Sequence, residues 1–291
     1  MIENEIISEI NIKDNNSEER IINSYENIKK EESDWEWENI EVKENEEEIK
    51  DCEIYINDKK IDFIYLYTFK NKGKYIIKYK FKKLLTSTNS MFYGCKSLSS
   101  IDLSNFHTQN VTNMGHMFYD CNSLSSINLT NFNTQNVTNM EYMFFGCYSL
   151  SSINLTNFNT QNVTNMESMF SFCILLSSLD LSSFNTQNVT NIQSMFAQCE
   201  SLTSLDLSNF NTQNVTKIQS IFYNCKSLSS LDLSNFNTQK LTSIENMFYN
   251  CKSLLSLNLS NFNIQNVTNM ESMFFNCNSL IYKIILNFQN F

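Results

Sequence analysis

Cys95, Cys121, Cys147, Cys173, Cys199, Cys225, Cys251 and Cys277 follow one another at a constant interval of 26 residues. The residues between them repeat as well. The unit that begins at Cys199 reads C-E-S-L-T-S-L-D-L-S-N-F-N-T-Q-N-V-T-K-I-Q-S-I-F-Y-N. A fixed period of this length, without insertions or deletions, marks structural units stacked one on the next, each too small to bury an apolar face alone. Seven full units and a partial eighth fill residues 86–291. Residues 1–85 precede them.

Within the Cys199 unit, Leu202, Leu205, Leu207 and Phe210 follow the spacing L-x-x-L-x-L-x-x-F, close to a leucine-rich repeat. Leu205 and Leu207 alternate with Ser204, Asp206 and Ser208. That pattern predicts a short parallel strand from Ser204 to Ser208, leucines inward, one of a series rising by roughly 4.8 Å per unit into an arc about 35 Å long. Val215, Ile218, Ile221, Phe222 and Cys225 then fall on one face of a helix. Capping-box pairs support that helix: Thr138/Glu141, Thr164/Glu167, Thr190/Gln193, Thr216/Gln219, Thr242/Glu245 and Thr268/Glu271, with Thr112/Gly115 the exception. The expected helix covers about two turns, residues 217–225. A short strand over 214–217 ahead of a shorter helix stays open. In the last unit Leu280, Ile285 and Phe288 keep register, and Lys283 takes an inward position, as suits a terminal edge strand.

Residues 1–85 read as a β-rich module that caps the first unit, or as a domain tethered ahead of it. Ile6, Ile10 and Ile12 mark one strand, Cys52 to Ile56 another, and Ile61 to Phe69 a third with Phe63, Tyr65, Tyr67 and Phe69 on one face. Asn71-Lys72-Gly73 supplies a turn. The strand after it sets Tyr75, Ile77, Tyr79 and Phe81 against Lys74, Lys78, Lys80 and Lys82, completing a hairpin. The segment from Glu26 to Lys50, with Trp35 and Trp37, is acidic and has no clear period.

Charge narrows the choice of partners. Of the net −10, residues 1–53 hold 19 acids and 6 bases, residues 54–90 hold 2 acids and 9 bases, and the repeats hold 10 acids and 6 bases. The repeats lack the basic stripe of a nucleic-acid binder. The lysines at 70–83 face an acidic neighbour, and mutual neutralisation is expected. No stretch reaches the roughly 18 apolar residues of a membrane helix, and the first residues are acidic with no signal-peptide core. A cytosolic protein with reduced cysteines is expected, the cell surface or exterior being the alternative.

Three features could carry chemistry. The cysteine ladder could bind metal or cross-link, but one Cys per unit on an inward face, with only His107 and His116 in the chain, favours packing. Asn110, Asn136, Asn162, Asn188, Asn214 and Asn266 each open an N-V-T glycosylation sequon, which the shape of the unit also explains. The outward strand column Asp102, Asn128, Asn154, Asp180, Asp206, Asp232 and Asn258 could face a polar ligand, or solvent. No nucleophile–base pair, phosphate loop or paired carboxylates emerge, so no catalytic residue, metal or cofactor is expected.

The unit C-x-S-L-x-S-[IL]-[DN]-L-S-N-F-N-T-Q-N-V-T-N-M-x-x-M-F, over residues 91–280, closely resembles the 26-residue leucine-rich repeat of BspA-like surface proteins. The resemblance implies a right-handed leucine-rich coil and, for bacterial members, surface display, adhesion and host-protein binding. The expected fold is therefore an α/β solenoid: a right-handed leucine-rich-repeat arc with parallel strands on one face and short helices on the other, behind a β-rich cap at 1–85. The expected function is a non-enzymatic scaffold for protein partners, with an adhesin as the alternative.

Overall fold

A computed structural model describes residues 4–31, 45–280 and 284–285. The expectations for Trp35, Trp37, Lys283 and Phe288 lie outside these residues. Before the repeats come β1 (Glu5–Ile12), β2 (Ser17–Arg20), α1 (Tyr25–Glu31), α2 (Glu46–Lys50), β3 (Cys52–Ile56), β4 (Lys59–Ile61), β5 (Leu66–Phe69) and β6 (Gly73–Phe81). Strands β7 (Leu98–Asp102), β8 (Ser126–Asn128), β9 (Ser230–Asp232), β10 (Ser256–Asn258) and β11 (Ile284–Ile285) belong to the repeats.

The α/β solenoid with a helical face does not form. The two described helices, α1 and α2, are short and both precede the repeats, and the molecule is mostly mixed sheet and turn. Where helices were expected, the chain makes a run of interlocked β-turns. From the Cys95 unit into the start of the next, Met117, Tyr119, Cys121 and Leu124 donate their amides three residues back, to Met114, His116, Phe118 and Cys121. The alternate amides of Met114, His116, Phe118 and Asp120 leave the unit and reach carbonyls of Asn139, Glu141, Met143 and Phe145 at 2.8–3.0 Å.

Two physical reasons favour turns over a helix. A helix needs about 10 Å of width, whereas strands stack at roughly 4.8 Å. Here the turn side keeps nearly the strand spacing: Phe92, Phe118, Phe144, Phe170, Phe196, Phe222, Phe248 and Phe274 stack with centroids 5.5–6.2 Å apart. The run also needs left-handed backbone twice per unit, as at Ser194 (φ 54) and Gln198 (φ 63). Ser and Asn, poor helix formers, occupy many of these sites. The capping boxes dissolve accordingly. The amide of Glu141 is held by Asn139 Oδ1 at 3.0 Å, and the Thr138 hydroxyl donates to Thr112 O in the preceding unit at 3.1 Å. At Gly115, which breaks the Thr/Glu pattern, a Cβ would lie 3.2 Å from Asn113 Oδ1 and 3.3 Å from Glu141 Cγ.

Parallel pairing links equivalent residues one period apart, in β7–β8 and β9–β10 and in single bridges from Ser87 through Asn113, Asn139, Asn165 and Asn191 to Lys217. The last pair slips. Ile284, not residue 283, lies opposite core-facing Leu257, and Ile285 opposite Asn258. Ile285 therefore does not keep register: the backbone pairing runs one residue off the 26-residue period.

The first unit is sealed. β1 pairs with β6 on one side and with β7 on the other, both antiparallel, in a six-stranded sheet ordered β4-β3-β6-β1-β7-β8. On the turn side, carbonyls that receive a neighbouring unit's amide elsewhere are met by asparagines. Asn45 Nδ2 donates to Asn89 O (2.7 Å), and Asn23 donates through N to Met91 O (2.7 Å) and through Nδ2 to Tyr93 O (3.3 Å). The expected hairpin is absent: β5 pairs with β2, while β6 runs between β1 and β3. The third expected strand is likewise split between β4 and β5.

Asn45 is buried and also accepts from the Tyr25 amide. Replacing it by Ala strands two buried backbone groups. We expect Asn45→Ala to lower unfolding free energy by about 2–3 kcal/mol, read by urea denaturation, with exposed Asn105→Ala near wild type.

Candidate functional surface

The ladder cysteines point into the stack. Cys121, Cys147, Cys173, Cys199, Cys225 and Cys251 are buried, unpaired with one another, and donate Sγ–H to the carbonyl of the Phe 29 residues earlier at 3.1–3.3 Å. Burial pushes the Cys199 thiol up to about 12, which makes it inert as a nucleophile. Cys52 is buried too, its thiol also raised to about 12 by desolvation, while Cys277 is half-buried. No group of three His, Cys, Asp or Glu among the described residues could hold a metal ion.

The strand column Asp102, Asn128, Asn154, Asp180, Asp206, Asp232 and Asn258 faces outward, as the alternation requires, but its side chains are occupied. Each accepts the amide two residues on: Ser104, Thr130, Thr156, Ser182, Ser208, Ser234 and Ser260, at 2.9–3.1 Å. These bonds turn the chain out of the strand. The Ser182 and Ser208 amides hold the carboxyls of Asp180 and Asp206 below the usual range. The neighbouring column is the free one. Ser152, Ser178, Ser204 and Ser230 are exposed, and no described residue bonds their hydroxyls. Sequence alternation places both columns outward and does not reveal which is used for turns. On the approach to the strand, Leu175 (three residues before Ser178) and Leu255 are 51% and 61% exposed, at positions where sister units carry Ser201 and Ser229.

The corner between strand and turn run spends its polar groups on stacking. Buried Thr134 donates to Asn159 O (2.9 Å) and accepts from Asn159 N (2.7 Å), a pairing repeated in successive units. Sequon residues Asn136, Asn162, Asn188, Asn214 and Asn266 donate Nδ2 to the carbonyl of the preceding unit's Gln at 2.7–2.9 Å. The nitrogen a glycan would take is thus already committed to the ladder.

His116 packs on Tyr142, ring centroids 4.9 Å apart, and burial lowers its pKa from 6.5 to about 4. Burial, then the nearby Glu167 charge, raises Glu141, whose carboxylate accepts from Asn139 and Asn165. The lysines of β6 are paired: Lys74 with Glu9, Lys78 with Asp58 and Lys80 with Glu5, at 2.7–3.2 Å. No described helix is long and apolar enough to cross a membrane.

These features define a protein of tandem 26-residue units locked together by their own polar side chains. The model of one family, described as "Mycoplasma protein of unknown function, DUF285", matches residues 66–178 and again 174–287, and the chain belongs to that family. No curated protein and no solved structure matches it.

Two outcomes follow from the buried groups. Alkylation of the native protein at pH 8 should reach Cys277 first and leave the ladder cysteines unlabelled until unfolding, and Cys199→Ala should cost about 1–2 kcal/mol. His116 stays neutral when folded but protonates when unfolded, so its stabilisation is full above pH 6.5 and fades towards pH 4. His116→Asn, with the residue that Asn246 provides at the equivalent left-handed site, should remove about 1–2 kcal/mol of that acid sensitivity, measured by denaturation at pH 7 and 4.5.

Proposed function

We propose that the chain is a non-catalytic scaffold that binds protein partners through the outward strand face. The observation that carries this reading is the free serine column, Ser152, Ser178, Ser204 and Ser230, repeated at unit spacing, with exposed Leu175 and Leu255 on the approach to the strand. Hydroxyls in regular array with a few aliphatic anchors suit an extended protein surface, where area and fit accumulate along the stack. The residues with potential for chemistry have structural employment: thiols bonded to carbonyls, carboxylates in turns, histidine under a tyrosine. Unpaired, buried thiols suit a reducing compartment, so the reading places the protein in the cytosol.

A second reading, a surface adhesin, draws on the similarity of the 26-residue unit to BspA-like repeats and on membership of a family whose description names Mycoplasma. Localisation of the tagged full-length chain separates the two. For the binding face, Ser178→Arg, Ser204→Arg and Ser230→Arg combined leave the aspartate turns untouched. Affinity capture should lose its specific partners with this variant while circular dichroism stays unchanged. An identical partner set would remove the strand face from the account.

A further inference from the structure

The stack is not equally closed along its length. Besides the Thr–Asn pair at the corner, which holds at every described junction including Thr212 with Asn237, four contacts at the start of the turn run tie each unit to its neighbours. The residue after Gln donates Asn Nδ2 to the previous Gln carbonyl. The Thr two places on donates both its amide and its hydroxyl to the previous Thr carbonyl. The Met or Ile two residues after that Thr donates its amide forward. Thr138, Thr164, Thr190, Thr216 and Thr268 all make both threonine bonds, with amide distances of 2.8–2.9 Å. Met114, Met140, Met166, Ile192 and Ile244 all make the forward bond at 2.9–3.0 Å.

Between the Cys199 and Cys225 units these contacts are missing together. Thr242 makes neither bond to Thr216 O. Ile218 donates to Gln219 Oε1 at 3.1 Å instead of to Ser243 O. Lys240 stands where an Asn would donate, and its Nζ reaches Asn214 Oδ1 at 2.8 Å. The series of parallel bridges stops at Lys217 and resumes at Ser243. Deeper in the turn run the same junction is intact: Ser220, Phe222 and Asn224 donate to Glu245, Met247 and Tyr249.

The sequence departs at the same place. Five units read Q-N-V-T-N, at 109–113, 135–139, 161–165, 187–191 and 265–269; the two around the gap read Q-N-V-T-K and Q-K-L-T-S. Ser243 accompanies the exchanged bond. At intact junctions an Asn amide reaches back to the previous unit's Glu carboxylate, as Asn165 to Glu141, Asn191 to Glu167 and Asn269 to Glu245, at 2.6–2.8 Å. At the 216–243 junction Ser243 makes no such bond, Gln219 Oε1 takes the Ile218 amide, and Ser243 O has no donor among the described residues; the preceding junction, where Lys217 replaces the Asn, keeps its forward bond from Ile192.

We infer that the described stack contains a built-in joint, at residues 214–218 against 240–243. It yields locally there, between the intact bonds of Thr212 with Asn237 (2.7 and 3.1 Å) on the strand side and those of Ser220, Phe222 and Asn224 on the other. A joint at this place lets the ladder open locally and expose the Thr242 amide while the bonds on either side hold the two segments together.

Amide hydrogen exchange of the full chain tests this. After correction for intrinsic rates, the Thr242 amide should exchange at least about tenfold faster than those of Thr164, Thr190 and Thr216, the scale of one lost net hydrogen bond. Lys217→Asn, Lys240→Asn and Ser243→Asn together should bring it to within about twofold of them. Transplanting the gap as Asn188→Lys, Val189→Leu and Asn191→Ser should speed Thr190 instead. Equal protection of Thr242 and Thr190 in the wild type, or exchange at Thr242 unmoved by the restoring substitutions, would overturn the joint.

Discussion

Ile218 apart, alternate amides of the turn run point along the stack to carbonyls 25 residues on in each unit that has a described neighbour after it. In the Cys173 unit Ile192, Ser194, Phe196 and Gln198 reach the carbonyls of Lys217, Gln219, Ile221 and Tyr223 at 2.7–3.1 Å. The rest of the architecture follows from this direction. Amides leaving one face and carbonyls returning from the other make each unit a donor above and an acceptor below, so units add in one order only. The same arrangement holds the phenylalanines at stacking distance and delivers each cysteine to a phenylalanine carbonyl.

A polar stack has two unlike ends. The first unit exposes carbonyls, and the preceding module supplies donors for them from Asn23 and Asn45 while β1 covers the strand edge. Buried carbonyls without partners would cost several kcal/mol, so the module's contribution goes beyond apolar cover. In the last described unit Met270 is 48% exposed and Phe275 56%, whereas Ile244, one unit earlier at the Met270 position, is buried. The chemistry of the repeat sequence is consumed in this construction, which is why function is sought on the serines and leucines left over.

Much of this was legible in the residues. The period set the unit, and the inward set of Leu202, Leu205, Leu207, Phe210, Val215, Ile218, Ile221, Phe222 and Cys225 is buried as its spacing requires. The same gaps misled on conformation, because apolar residues three and four apart serve a helix and a chain of three-residue turns alike. What separates the two is spacing along the stack and the left-handed sites, and neither appears in a hydrophobic pattern. Alternation leaves the Asp/Asn column exposed or half-exposed, but its carboxylates and amides hold turns, since an Asp before x-Ser can bond locally as readily as it can face a ligand. The slip at Ile284 and the pairing of β5 with β2 depend on contacts between distant segments that local alternation does not encode.

Phe196 offers the most direct measurement. Its amide has two rival acceptors: Ile221 O in the next unit, 3.1 Å away in this structure, or Ile192 O four residues back, as a helix would demand. Scalar coupling across the hydrogen bond, read by NMR on selectively labelled protein, distinguishes them. The account predicts a coupling from the Phe196 nitrogen to the Ile221 carbonyl carbon. A coupling to Ile192 would contradict it.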